Sequence, residues 1–177
     1  SMSMEYLTWP WMDRFFKGDT DKFKYAHMSD NVKFLPYGVS VDHFQHEVYA
    51  NPNMTPDERK AIWRKLEKMY VPHKDYTENE FLDKGTFWYN QGHIFSTPFY
   101  YIDYTLAGVC AMQFWKRAAQ NDPNTFKDYL KICNIGGTKS FVNIVKDANL
   151  ISPFEKECIP SIIKDVEEFL YSIDDTK

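Results

Sequence analysis

Four times along this sequence a hydroxyl or carboxylate side chain stands immediately before a proline: Thr55-Pro56, Thr97-Pro98, Asp122-Pro123 and Ser152-Pro153. A cap oxygen accepts a hydrogen bond from the unpaired amides of a first helical turn. Proline suits the next position because its missing N–H would have no partner there. The four pairs therefore predict four helix starts, and Glu58 and Glu155, three residues after their caps, extend two of them to a capping box. Apolar residues recur at helical spacing as Ile62, Leu66, Met69 and Tyr70; as Phe126, Tyr129, Leu130 and Cys133; and as Phe141, Ile144, Val145 and Ala148. The cleanest period, Ile159, Ile162, Ile163, Val166, Phe169, Leu170 and Ile173, predicts a last helix whose start Pro160 kinks or splits. From Phe99 to Trp115 apolar side chains surround nearly the whole circumference, which predicts a central, buried helix. The stretch from Met2 to Tyr49 reads as helix interrupted at Pro10, Gly18-Asp19 and Pro36-Tyr37-Gly38. No alternating strand pattern of useful length occurs, and no internal repeat. The expectation is an all-α, multi-helix chain with one domain over residues 1–177.

Composition narrows the classes of partner. Hydrophobic residues make up 44%, enough for a buried core, and the net charge of −4 comes from both signs scattered along the chain. Without a basic tract, neither a nucleic acid nor an anionic membrane surface is an expected partner. The most apolar stretch, Tyr104 to Trp115, falls short of the roughly 20 residues a membrane helix needs. The N-terminus SMSMEYLTWPWM lacks the charged and apolar regions of a signal peptide. Three cysteines (Cys110, Cys133, Cys158) without a C-x-x-C pair fit reduced, buried thiols in a cytoplasmic protein. Aromatics reach 18% while glycines number 7, a balance that suits packed helices with an aromatic-lined cavity.

Two groups of residues carry possible chemistry. His43 and His46 in VDHFQHEVY stand at i and i+3 beside Glu47. A zinc pair on one helix is usually at i and i+4, so local pairing competes with metal binding here, and no native metal site is expected. The second group is GHIFSTPFYYIDYTLAG, residues 92–108. His93 precedes the helix predicted to start at Thr97, whose first turns would carry Tyr100, Tyr101 and Tyr104 on adjoining faces. A neutral imidazole, phenol hydroxyls and free amides at a helix N-terminus together offer an oxyanion several donors without a fixed charge. The competing reading makes these tyrosines core residues with satisfied hydroxyls. Gly136-Gly137 is explained equally as a helix stop or as part of a ligand channel.

The blocks SMSMEYLTWPWM (1–12), FLPYGVSVDHFQHEVYANPNMTPDERKAIWRKLEKMY (34–70), GHIFSTPFYYIDYTLA (92–107) and GGTKSFVNIVKDANLISPFE (136–155) resemble the C-terminal part of oligoendopeptidase F, in the same order. That family belongs to the thimet-oligopeptidase-like zinc metallopeptidases. The resemblance implies the C-terminal lobe of a larger helical peptidase acting on short peptides. His93, Tyr101 and Tyr104 match residues that stabilise the oxyanion, and Tyr100, Gly136 and Gly137 match the substrate-binding wall. It also implies that zinc, held in the family by a His-Glu-x-x-His helix and a later glutamate, belongs to the full-length parent, with those ligands upstream of residue 1 and none in this chain. Glu5 then supports a ligand or packs, rather than being a ligand itself. Alone, the chain would be inactive and would cover apolar surface near Met2–Trp11 and Tyr100–Tyr104 by forming a homo-oligomer. A stand-alone, non-catalytic helical module that binds a peptide or a partner protein is the alternative.

Overall fold

The computed structural model describes residues Ser1–Ile173. Three quarters of the chain, 75%, is helical, and the described residues contain no strand. The α-helices are α1 (Met2–Leu7), α2 (Asp13–Phe16), α3 (Thr20–Ala50), α4 (Pro56–Tyr70), α5 (Gly92–Ser96), α6 (Ile102–Ala119), α7 (Thr125–Ile135), α8 (Phe141–Asp147) and α9 (Cys158–Ser172) among the described residues. The all-α expectation holds. Among the described residues, Ser1–Asn31 with those from Leu106 onward form one compact unit, and Val32–Thr105 forms another.

Of the four cap–proline pairs, only Thr55-Pro56 opens a helix directly. Thr55 Oγ1 accepts from the Glu58 amide at 3.3 Å while the Thr55 amide donates to Glu58 Oε2 at 2.7 Å, which completes the capping box. Two of the other cap oxygens serve turns instead. Asp122 Oδ1 accepts from the Asn124 amide and α7 begins at Thr125; Ser152 Oγ accepts from the Phe154 amide and α9 begins at Cys158. The local chemistry is the same, but a single cap bond closes an Asx or Ser turn as readily as a helix. Glu155 accordingly forms no capping box.

Proline misled in the other direction inside α3. This helix runs unbroken for 31 residues through Pro36 and Gly38, where a break was expected. An internal proline costs about 3 kcal/mol. Full burial of Val41 and Phe44 on the same helix contributes about 1.5–3 kcal/mol each and offsets it. Pro160 likewise leaves α9 whole, because it sits in the first turn, where a missing N–H breaks no bond.

In the Val32–Thr105 unit, Val41, Phe44, Trp63, Leu66 and Trp88 make the core, with Tyr37, Ile94 and Tyr101 among the half-buried rings and chains packed on it. Two glycines permit close backbone approaches. A Cβ on Gly38 would lie 2.0 Å from Thr105 Oγ1, and one on Gly85 (φ +86°) would lie 2.0 Å from the Lys60 carbonyl oxygen. In the other unit, Cys110, Phe114, Val145, Ala148 and Leu150 form the core. The buried run Val109–Trp115 matches the expected central helix, although Phe99–Tyr104, read as part of the same helix, is largely exposed or half-buried. Cys110 and Cys158 are buried free thiols, and burial pushes Cys110 up to about 12; Cys133 is exposed, contrary to expectation. Near the N-terminus Tyr6 and Trp9 are buried rather than exposed, while Trp11 and Phe15 remain open to solvent.

Candidate functional site

The stretch from Gln91 to Thr105 doubles back on itself. α5 carries His93 and is anchored by Ile94, which packs on the core of its unit. The chain then turns through Thr97–Tyr101, and α6 starts at Ile102, four residues later than Thr97-Pro98 predicts. Phe99 explains the delay. Its φ of 63° lies in the left-handed region, which a helical first turn does not admit. The conformation is held by buried Gln45, whose Oε1 accepts from the Phe99 amide at 2.8 Å, and by packing of the Phe99 ring on His46 and Tyr49. A non-glycine residue in this conformation stores strain that its surroundings must hold, and such strain clusters at functional sites.

The reversal brings four of the sequence-expected residues together. The His93 ring lies 5.1 Å from Tyr101, 5.9 Å from Tyr104 and 6.1 Å from Tyr100, stacked on the last and edge-on to the others. Tyr100 and Tyr101 lie 5.4 and 5.5 Å from Tyr104. Tyr100 and Tyr104 are exposed, while His93 and Tyr101 are half-buried. Part of the expected set of free helix N-terminal amides is taken. The amides of Tyr100, Asp103 and Tyr104 donate to the carbonyls of Thr97, Tyr100 and Tyr101, and that of Phe99 is taken by Gln45. Those of Tyr101 and Ile102 have no hydrogen-bond partner among the described residues. The Tyr101 and Tyr104 phenols remain protonated near neutral pH: desolvation raises Tyr101, and the Tyr100 hydroxyl, then desolvation, raises Tyr104.

Behind His93 stand two residues that the sequence did not single out as site residues. The Tyr37 hydroxyl donates to Gln91 Oε1 at 3.0 Å, and Gln91 Nε2 lies 2.7 Å from His93 Nδ1. Tyr37 also meets Tyr101 edge-on at 6.1 Å and touches the core through Trp63 and Phe87. Gln91 is two residues from His93 and was open to notice; Tyr37 is 54 residues from Gln91, a pairing no local pattern signals.

The remaining candidates lie elsewhere. Gly136 (φ 55°) ends α7 in the other unit, as a helix stop does, and Gly137 follows it. His43 pairs with Tyr70 at 2.9 Å and Glu47 at 3.4 Å, and His46 with Asp42 at 3.4 Å, so both make local contacts. No group of three or more His, Cys, Asp or Glu that could hold a metal ion occurs among the described residues, so these residues do not fit a zinc site. Glu5 lies 3.1 Å from His27. No described helix is long and apolar enough to cross a membrane.

Several solved structures are similar to the chain. An X-ray structure assigned to oligoendopeptidase F is 54% identical, with a TM-score of 0.94 over 99% of this chain and 31% of that one. PZ peptidase A, solved with an inhibitor, is 55% identical, with a TM-score of 0.94 over 100% of this chain and 32% of that one. A structure from Bacillus anthracis, also assigned to oligoendopeptidase F, is 49% identical, with a TM-score of 0.81 over 99% and 28%. No family model and no curated protein matches. The chain thus spans about a third of the solved chains it matches. Identity near one half over its whole length, on the same helical fold, makes the chain a member of the oligoendopeptidase F family over the portion it spans.

Proposed function

We propose that the chain is the C-terminal, substrate-facing lobe of a zinc metalloendopeptidase that hydrolyses short peptides in the cytoplasm. The observation that carries this reading is the convergence of His93, Tyr100, Tyr101 and Tyr104 in a chain about half identical to peptidases. When a peptide bond is attacked, negative charge develops on its carbonyl oxygen. Donors already in place at that point stabilise the charge without reorganising. His93, Tyr101 and Tyr104 supply such donors in the proposal, and Tyr100 lies along the bound peptide main chain. The Tyr101 and Tyr104 phenols suit the task because they stay protonated.

A zinc ion, when bound, would polarise the substrate carbonyl and generate the attacking nucleophile. The residues described here do not fit such a site, so its ligands are assigned to the rest of the parent enzyme and no step through the metal is derived. The chain alone is then inactive, and its exposed Phe95, Tyr100 and Phe154 favour self-association in isolation. Neither a nucleic acid nor a membrane is a partner in this reading. The same exposed rings favour a second reading, a non-catalytic module that binds a peptide or a partner protein.

The test uses the full-length peptidase. His93→Ala and Tyr104→Phe should lower kcat for a short peptide while the zinc content of the protein stays the same. Unchanged kcat in both variants overturns the site assignment. The isolated chain should neither hydrolyse the peptide nor retain zinc; one tightly held zinc per chain would overturn the division of labour.

A further inference from the structure

An imidazole donates a hydrogen bond from a given nitrogen only if that nitrogen carries the proton, and in the neutral ring only one does. Whether His93 can serve an oxyanion thus depends on its tautomer. We infer that Gln91, oriented by Tyr37, fixes His93 as the tautomer protonated on Nε2.

The chain of donors runs in one direction. Among the described residues Gln91 Oε1 is the acceptor of the Tyr37 hydroxyl, at 3.0 Å. The half-buried phenol keeps its proton, because desolvation, followed by the charges of Tyr101 and Glu67, raises its pKa. A phenol proton needs an acceptor when water is excluded. With the amide oxygen turned toward Tyr37, the amide nitrogen faces His93 Nδ1 at 2.7 Å. An amide NH2 only donates, so Nδ1 must accept and the ring proton sits on Nε2. Among the described residues Nε2 has no hydrogen-bond partner of its own, so the polarised N–H is left for a ligand. Reversing the Gln91 amide would strand the Tyr37 proton and move the His93 proton to Nδ1, leaving an acceptor where an oxyanion needs a donor.

Tyr37 is itself held on the core by edge-on contacts with Trp63, Phe87 and Tyr101 at 6.1–6.4 Å. Gln91 and Tyr37 are thus positioning residues. They act through His93 and touch no reacting atom. The purpose of the Nε2 donor rests on the peptidase reading above; the way it is set does not.

Two measurements on the full-length peptidase separate these. Nitrogen-15 NMR of histidine-labelled protein, with His93 identified from its missing signals in His93→Ala, should show a bare Nδ1 and a protonated Nε2. In Gln91→Leu the two resonances should move toward each other as the tautomers mix, and Tyr37→Phe should produce a smaller shift in the same sense. In parallel, Gln91→Leu should lower kcat by about 10- to 100-fold, the usual range for a residue that orients a functional ligand, with KM changed less than twofold. A protonated Nδ1 in the unaltered protein, or unchanged His93 resonances in Gln91→Leu, overturns the inference. If the resonances behave as expected but His93→Ala leaves kcat intact, the peptidase role of His93 falls and the tautomer assignment stands.

Discussion

Two histidines in this chain occupy nearly the same kind of seat. His27 lies against Tyr6, Phe23 and Trp9, with ring centroids 4.8–5.8 Å apart, and His93 lies against Tyr100, Tyr101 and Tyr104 at 5.1–6.1 Å. Both receive a donor at Nδ1: the Trp9 indole N–H at 3.1 Å and the Gln91 amide at 2.7 Å. Indole only donates, so His27 is also protonated on Nε2. At that atom the two diverge. His27 Nε2 donates to Glu5 Oε2 at 3.1 Å, whereas His93 Nε2 has no partner among the described residues. A carboxylate turns the first ring into a structural joint; its absence leaves the second with a donor to spend on a ligand. An aromatic, hydrogen-bonded histidine is therefore not by itself a mark of function. The unused nitrogen is.

The contrast can be broken at four places. His93→Ala carries the largest expected effect: kcat of the full-length enzyme should fall about 100- to 1,000-fold, the cost of removing one preset oxyanion donor. Its melting temperature should hardly move, and a large fall in stability with kcat retained would make His93 a second His27. His27→Ala should do the opposite. It strands the buried Trp9 N–H and should cost about 1–3 kcal/mol in denaturant unfolding, with kcat per folded molecule unchanged. Tyr104→Phe removes a donor that is more exposed and interacts with Tyr100, so a kcat loss of about tenfold is expected, without change in stability. Glu5→Gln preserves an acceptor for His27 and loses only a half-exposed charge; the change in unfolding free energy should stay below about 1 kcal/mol.

Helical class was legible because its signal is redundant: apolar periods, caps and scarce glycine all agreed. Boundaries were less so. Asp122 and Ser152 make cap-like bonds that close turns as well as they open helices, and after Thr97 the outcome depends on what lies beyond, with Gln45 holding Phe99. Pro36 predicts a break because its cost is local, while the burial of Val41 and Phe44 that outweighs it becomes visible only in three dimensions. For the site, GHIFSTPFYYIDY put His93 and three tyrosines within one short stretch, so their meeting needed only a chain reversal. The roles came from the family resemblance. Tyr37 escaped notice because it belongs to the site through a contact 54 residues away in sequence.

The left-handed turn at Phe99 also limits how this segment can change over time. α6 begins just beyond it, and each residue of a helix rotates its successors by about 100°. A residue added or removed at the start of α6, between Ile102 and Tyr104, would swing Tyr104 away from His93. Substitutions in this connector can be absorbed one at a time. Its length cannot drift without losing the site.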